Sequence, residues 1–176
     1  MDSKLKRSPG LYLTGFMGSG KTTVARILAD RLGWDFADVD AEVEARENLT
    51  IAQIFEQRGE AEFRRIEKDV IAGLARSIER GLPCVVALGG GAFVQPENKE
   101  LVENHGISIW LDCPLETIER RIAGEADSRP LARDQAAMRN LYEERREAYS
   151  KANYAVDADC EVENAVEKIL ALPFWK

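Results

Sequence analysis

A glycine-rich segment near the start of the chain carries the residues best suited to chemistry. Gly15–Thr22 reads GFMGSGKT and fits the pattern G-x-x-x-x-G-K-[ST] at every fixed position. In such a loop the glycines let the backbone wrap closely around phosphates, with its amides turned inward. Lys21 can reach the β- and γ-phosphates of a nucleotide, and the Thr22 hydroxyl is a suitable ligand for Mg²⁺. The segment therefore predicts a site for nucleotide phosphates, provided that a strand precedes it and a helix follows.

Two aspartates form a second candidate group. Asp38 and Asp40 follow a short predicted strand and are separated by one residue. At the carboxyl edge of an open α/β sheet they would lie beside the phosphate loop. One could bind a water of the Mg²⁺ ion, and the other could face an acceptor hydroxyl. Asp40 also precedes the periodic stretch Ala41–Glu47, so spacing alone supports a helix N-cap equally well.

An arginine near the start of a later predicted helix could bind a carboxylate. Arg64 lies within Gly59–Glu67, and its guanidinium could form a bidentate pair with an anionic ligand. Glu67, one turn further on, could hold that guanidinium in place. A solvated charged helix face is the alternative that this spacing also allows.

Three consecutive glycines, Gly89–Gly91, follow an apolar run. Such a run of glycine destabilises a fold unless a backbone or ligand must approach closely. Further cations come from Arg145 and from Arg129, which lies in the polar segment Gly124–Arg133. A polar segment over a site could be a mobile lid or an ordinary surface loop.

The elements that must position these residues alternate along the chain, as in an α/β protein with a parallel sheet. At 176 residues the chain suits one domain with a single core. The apolar runs predict strands at Leu11–Thr14, Asp35–Ala37, Cys84–Leu88, Ile107–Leu111 and Tyr154–Val156. The helical periods predict helices at Lys21–Leu32, Ile51–Arg58, Glu60–Arg80, Glu97–Glu103, Leu115–Ala123, Asp134–Lys151 and Val162–Leu172.

Composition excludes several classes of protein. The net charge of −7 argues against nonspecific binding to nucleic acid. No apolar run approaches the roughly 20 residues needed to cross a bilayer, and no signal-peptide pattern is evident. The three cysteines form no C-x-x-C pair, which favours reduced thiols and a cytoplasmic location. His105 is the only histidine, which excludes a multi-histidine metal site.

Taken in order, these segments resemble those of shikimate kinases, small P-loop proteins similar to nucleoside-monophosphate kinases. The resemblance runs from Leu11 to Leu172 and rests on GFMGSGKT, F-x-D-x-D (Phe36–Asp40), GE-x-x-FR-x-x-E (Gly59–Glu67), Gly89–Gly91, Arg129-Pro130-Leu131, and Arg145 four residues before Tyr149. It implies a single domain over residues 1–176, with a three-layer fold of five parallel strands flanked by helices. The phosphate loop would span residues 15–22 and a mobile lid about 124–133.

The resemblance also implies an activity. The γ-phosphoryl group of ATP would pass to the 3-hydroxyl of shikimate, giving shikimate 3-phosphate and ADP in the biosynthesis of chorismate and aromatic amino acids. Mg²⁺ would be the cofactor and ATP and shikimate the partners, and the protein would be a cytoplasmic monomer that binds neither nucleic acid nor membrane.

Residue roles follow from the same resemblance, position by position. Thr22 would bind Mg²⁺ directly and Asp38 through water, while the catalytic residues would be Lys21, Asp40 and Arg129. ATP would contact Gly18, Ser19, Gly20, Lys21, Thr22, Thr23, Arg121 and Arg129. Shikimate would contact Asp40, Phe55, Phe63, Arg64, Gly89, Gly90, Gly91 and Arg145. The sequence leaves open whether Arg145 or its neighbour Arg146 faces the substrate, and it assigns no adenine contacts near the C-terminus.

Two other functions stay open on the residues alone. A kinase for another hydroxylated acid, such as gluconate, would share the loop and the sheet but would have less reason to pair Arg64 with Arg145. A regulatory nucleotide-binding domain would share the loop without using a small-molecule acceptor.

Overall fold

The computed structural model of the chain describes residues 10–123 and 134–176. Its centre is one sheet of five parallel strands, all paired in register with their neighbours. The predicted lid, about residues 124–133 and including Arg129, lies outside the described residues. The strands are β1 Gly10–Thr14, β2 Asp35–Asp38, β3 Cys84–Ala87, β4 Ile107–Asp112 and β5 Tyr154–Asp157.

Seven α-helices connect and flank these strands within the described part of the chain. They are α1 Lys21–Leu32, α2 Val39–Glu47, α3 Ile51–Glu79, α4 Pro96–His105, α5 Leu115–Ile122, α6 Gln135–Tyr149 and α7 Val162–Leu170, followed by the 3₁₀ turn Pro173–Trp175. The predicted fold class is confirmed, and most element ends differ from the predicted ones by one or two residues. None of these described helices is both long and apolar enough to cross a membrane.

The sheet order β2-β3-β1-β4-β5 places the first strand in the middle. Leu11 and Leu13 of β1 are fully buried, as are Val85 and Val86 of β3. Strands covered by helices on both faces must be apolar throughout, which explains why the central runs showed no alternation. Because all five strands are parallel, their carboxyl ends meet at one edge, where ligands bind in open α/β sheets.

Helix α3 contains a break at Gly59. The predicted pair of helices, Ile51–Arg58 and Glu60–Arg80, forms one helical run in which Gly59 alone has non-helical angles (φ 83°, ψ 171°). Only glycine adopts that conformation readily. Residues eight apart in a straight helix are about 12 Å apart along its axis. The break instead brings the rings of Phe55 and Phe63 to a centroid distance of 4.8 Å.

Candidate active site

The phosphate loop connects the central strand β1 to α1, as its sequence predicted. Gly18 and Gly20 both have positive φ (75° and 94°), and Gly20 occupies the N-cap of α1 without a capping side chain. The first amides of that helix are therefore available to an anion, whose charge the helix N-terminus favours. The Lys21 amine donates to the carbonyls of Gly15 (2.8 Å) and Phe16 (2.9 Å), which holds it over the loop.

Thr22 and Asp38 form a pair of oxygen donors beside this loop. The Thr22 hydroxyl donates to Asp38 Oδ2 at 2.5 Å, and Asp38 Oδ1 accepts from the Ala41 amide at 3.1 Å. Oxygen ligands of this kind suit Mg²⁺, which commonly takes one or two protein ligands and completes its shell with water and phosphate. The residues present therefore fit the predicted ion.

Asp38, and not Asp40, caps helix α2. Asp38 has the extended conformation of an N-cap, and α2 begins at Val39, which is fully buried. The N-cap interpretation of Asp40 is wrong because the apolar face of the helix starts earlier than Ala41–Glu47. Asp40 lies in the first turn of α2, and the capping hydrogen bond from the Ala41 amide goes to Asp38 instead.

The Asp40 carboxylate faces the three glycines that follow β3. A Cβ placed on Gly89 would lie 2.6 Å from Asp40 Oδ1. Burial raises the pKa of Asp40, the nearby charge of Asp38 raises it further, and Lys21 and Arg64 act in the opposite direction. Asp40 is thus a carboxylate of increased basicity close to two cations.

Arg64 is held by a buried acid. Its Nη1 donates to Glu67 at 2.8 Å, and Glu67 is only 1% exposed, so the predicted pair forms. Burial raises the pKa of Glu67, and the Arg64 guanidinium opposes that rise. The buried Asn98 amide donates to the carbonyl of Ala92 at 3.1 Å and lies 3.5 Å from Glu67. The solvated charged face predicted as the alternative belongs to the next residue, Arg65.

Arg145, and not Arg146, points toward the same glycines. Arg146 donates to Asp112 and to the Tyr142 hydroxyl, each at 2.7 Å, and lies 4.9 Å from the Trp110 ring centroid. Arg145 Nη1 lies 3.1 Å from the position of a Cβ on Gly90. The ion pair with Asp112 thus holds Arg146 at the end of β4, while Arg145 lies beside Gly90.

We call Gly89–Gly91 the glycine turn. A Cβ on Gly91 would lie 2.5 Å from Arg64 Nη2, closer than real Cβ contacts allow. The φ angles of the three glycines lie outside the left-handed region, so conformation does not require glycine there. A Cβ would instead crowd a neighbouring side chain, severely at Gly89 and Gly91 and less so at Gly90. Each glycine lies against one side chain: Gly89 against Asp40, Gly90 against Arg145 and Gly91 against Arg64. The turn lies beside the phosphate loop, with the Met17 amide 3.8 Å from the Gly90 Cβ position.

Two aromatic rings lie on the same side of the site as Arg64. Phe63 is buried, whereas Phe55 is 38% exposed. The Arg64 guanidinium lies 5.1 Å from the Phe63 ring centroid. The pair gives an apolar surface next to the cation.

A pocket of about 290 Å³ lies on the opposite side of the phosphate loop. Arg121 spans it, donating to Gly18 O (3.3 Å), Ala158 O (3.1 Å) and Cys160 O (3.2 Å). Ser19, Gly20 and Thr23 line one wall, and the segment 158–162 after β5 lines the other. The sequence left contacts in this segment unassigned, since those with Arg121 use backbone carbonyls that any residue type carries.

The sheet order and the loop at the end of its central strand define a P-loop phosphotransferase fold. The family model described as "Shikimate kinase" matches residues 17–172. The chain belongs to the shikimate kinase family, and the predicted family and activity are confirmed at that level.

Individual relatives agree with this assignment. The shikimate kinase of Ruegeria pomeroyi is 43% identical over 166 residues, covering 92% of this chain and 83% of the relative. The solved structure of the Acinetobacter baumannii enzyme in complex with shikimate is 35% identical with a TM-score of 0.87, covering 97% and 96% of the two chains. The Aquifex aeolicus enzyme is 39% identical with a TM-score of 0.81, covering 92% and 94%.

Proposed function

We propose that the chain transfers the γ-phosphoryl group of ATP to the 3-hydroxyl of shikimate, with the glycine turn as the acceptor site. The observation that carries this proposal is the arrangement of three side chains on three successive glycines beside the phosphate loop. One is a basic carboxylate, Asp40, suited to a hydroxyl, and the others are two arginines, Arg64 and Arg145, suited to a carboxylate. An acceptor that carries both groups fits this arrangement.

ATP would bind by its phosphates along residues Gly18–Thr23. The glycine amides and the N-terminus of α1 favour the anion, and Lys21 would exchange its loop carbonyls for phosphate oxygens. The adenine would occupy the pocket between the loop and the segment 158–162, against Arg121. Arg129 would add positive charge near the phosphates, a role that rests on the family resemblance.

Thr22 would bind Mg²⁺ directly and Asp38 would bind one of its waters. Their hydrogen bond would then be replaced, with the Thr22 oxygen turning to the ion. The ion, when bound, neutralises charge on the β- and γ-phosphate oxygens. Asp38 would keep its second oxygen on the Ala41 amide, so the start of α2 would stay capped.

Shikimate would bind with its carboxylate on Arg64 and Arg145 and its ring against Phe55, Phe63 and the backbone of Gly90. Glu67 holds Arg64 from behind, so little side-chain freedom is lost when a ligand binds. Asp40 would accept a hydrogen bond from the reacting hydroxyl and aim its oxygen at the γ-phosphorus.

The transfer then requires positioning more than covalent help from the protein. The bond from the γ-phosphorus to the bridging oxygen breaks, and a bond from that phosphorus to the acceptor oxygen forms. The hydroxyl proton passes to Asp40, and ADP leaves with the bridging oxygen. Lys21 offsets the charge that develops on the phosphoryl oxygens.

ADP release measured with and without shikimate, and separately with gluconate, tests this proposal. We expect release to depend on shikimate and on Mg²⁺. Release with gluconate alone would assign the acceptor to another acid, and slow release independent of both would assign a regulatory nucleotide-binding role. We further propose a cytoplasmic monomer, and light scattering of the purified chain should give a mass near 19.7 kDa.

A further inference from the structure

Tyr149, the last residue of α6, contacts the glycine turn from a buried position. Its side chain is 1% exposed, and its hydroxyl donates to the carbonyl of Gly90. The ring packs against Trp110 at a centroid distance of 6.2 Å. Burial raises the pKa of Tyr149 to about 12, so the hydroxyl keeps its proton and stays a donor at neutral pH.

The same hydroxyl interacts with Arg145, one helical turn earlier. The nearby guanidinium charge acts to lower the pKa of the phenol, although burial has the larger, opposite effect. Arg145 Nη1 also lies 3.1 Å from the Gly90 Cβ position. The phenol, the guanidinium and the Gly90 backbone therefore meet at one point.

This arrangement sets up a competition for the Gly90 carbonyl. A carbonyl in such a half-buried position requires a donor. Arg145 carries five N–H donors, and its Nη1 lies beside Gly90, 3.1 Å from the Cβ position there. Without the Tyr149 hydroxyl, the guanidinium would turn toward the Gly90 carbonyl and away from an incoming carboxylate.

We propose that Tyr149 is a positioning residue for the acceptor site, which satisfies the Gly90 carbonyl and thereby leaves Arg145 available to the carboxylate of shikimate. The proposal rests on the proposed function of Arg145 and Gly90. Because its side chain is 1% exposed, we expect Tyr149 itself to contact neither ATP nor shikimate.

Replacing Tyr149 by Phe tests the proposal, since it removes only the hydroxyl and keeps the ring on Trp110. We expect the KM for shikimate and its Kd without ATP to rise about tenfold, the loss of one hydrogen bond between an arginine and its ligand. The KM for ATP and kcat should stay within about threefold of the parent values.

Tyr142→Phe is the matched control. Tyr142 is also buried in α6, but its hydroxyl donates to the Cys113 carbonyl at 2.9 Å and accepts from Arg146 at 2.7 Å, rather than bonding to the glycine turn. Both substitutions should lower Tm, but only Tyr149→Phe should raise the KM for shikimate. An equal rise in both variants, or in neither, would overturn the proposal.

A double-mutant cycle separates action through Arg145 from a general loosening of the turn. In an Arg145→Ala background, Tyr149→Phe should have no further effect on the Kd for shikimate. If Tyr149→Phe weakened shikimate binding as much in the Arg145→Ala background as in the parent, Tyr149 would not act through Arg145. If the parent chain releases no ADP in response to shikimate, the proposed function fails and not this inference alone.

Discussion

The carboxylate of Asp40 occupies the space that a side chain at Gly89 would need. The separation of 2.6 Å between Asp40 Oδ1 and a Cβ at Gly89 is shorter than real Cβ contacts, so one of the two groups would have to move. Gly91 stands in the same relation to Arg64. Gly89 and Gly91 thus leave room for two different side chains. Asp40 is proposed to bind the acceptor hydroxyl, and Arg64 the acceptor carboxylate.

Alanine at these two glycines should therefore give different kinetic defects. Gly89→Ala should lower kcat about tenfold or more by displacing Asp40, with a smaller change in the KM for shikimate. Gly91→Ala should chiefly raise the KM for shikimate by displacing Arg64. Steady-state kinetics with shikimate varied at saturating ATP distinguishes the two.

Gly73→Ala provides the control for these alanines. Gly73 lies inside α3, where a Cβ would be 3.8 Å from Arg76 Nη2, an ordinary contact. Alanine should raise the free energy of unfolding there by about 0.5–1 kcal/mol and leave the kinetics unchanged. Identical defects in Gly89→Ala and Gly91→Ala would contradict the separate roles of their partners.

Asp40→Asn should reduce kcat about 100-fold while the KM for ATP changes little. The amide keeps the size of the carboxylate but cannot take the hydroxyl proton. Glu42→Gln, on the exposed side of the same first turn, should have no effect. Turnover of Asp40→Asn within about threefold of the parent, well under 1 kcal/mol, would exclude Asp40 as the partner of the acceptor hydroxyl.

The same substitution should stabilise the fold at neutral pH. Because the folded-state pKa of Asp40 is raised, its contribution to stability is present below the unfolded value near 3.8 and is lost as pH rises through the folded value. Asp40→Asn removes that loss, so its Tm should exceed the parent Tm at pH 7.5 and converge with it toward pH 4. A lower Tm at pH 7.5 would mean that the two cations outweigh burial.

The titration of Asp40 should also affect activity, but here the ionised carboxylate is the favourable form. Protonation removes the base, so kcat should fall on the acid side, with a midpoint above the ordinary aspartate pKa of 3.8. The acid limb should be absent from the residual activity of Asp40→Asn. An unchanged limb in that variant would assign the titration to another group.

Arg64→Ala should raise the KM for shikimate about 10- to 100-fold, because it removes a charge-assisted contact with the carboxylate. Its Tm should also fall, since Glu67 stays buried without its cation. Arg65→Ala is the neighbouring control. Arg65 is exposed and pairs with Glu62 and Asp69, and its loss should leave the KM unchanged. An unchanged KM in Arg64→Ala would point to a structural role alone.

Thr22→Val should raise the Mg²⁺ concentration needed for half-maximal activity about tenfold, because it removes the hydroxyl proposed as the direct ligand. Thr22→Ser keeps that hydroxyl and should restore the parent value. The KM for shikimate should be the same in all three proteins. A Mg²⁺ dependence that did not change in Thr22→Val would exclude Thr22 as a ligand.

The sequence predicted the fold and the position of the phosphate loop between β1 and α1 well, since both depend on local patterns. Buried parallel strands must be continuous apolar runs, and a phosphate loop must be rich in glycine, so Leu11–Thr14 and Gly15–Thr22 were recognisable without tertiary information. The break at Gly59 was also predicted as a boundary between two helices, because glycine disfavours a helix interior.

The remaining features depend on contacts between segments that are distant in sequence. Arg146 is bound by Asp112, which is 34 residues away in sequence, whereas Arg145 lies beside the glycine turn. Asn98 reaches Glu67 across 31 residues, and spacing gives no sign of such a contact. The N-cap was misplaced by two residues because the burial of Val39, which fixes the start of α2, depends on the packed core.

The glycine turn also has an evolutionary consequence. Because each glycine faces one partner, the six positions divide into three pairs: 89 with 40, 90 with 145, and 91 with 64. A side chain at Gly89 or Gly91 would require the end of its partner's side chain to move, and one at Gly90 would crowd Arg145. Among descendants of this sequence we therefore expect substitutions to arise pairwise, and a lineage that has lost Arg64 to be the first in which Gly91 is free to vary.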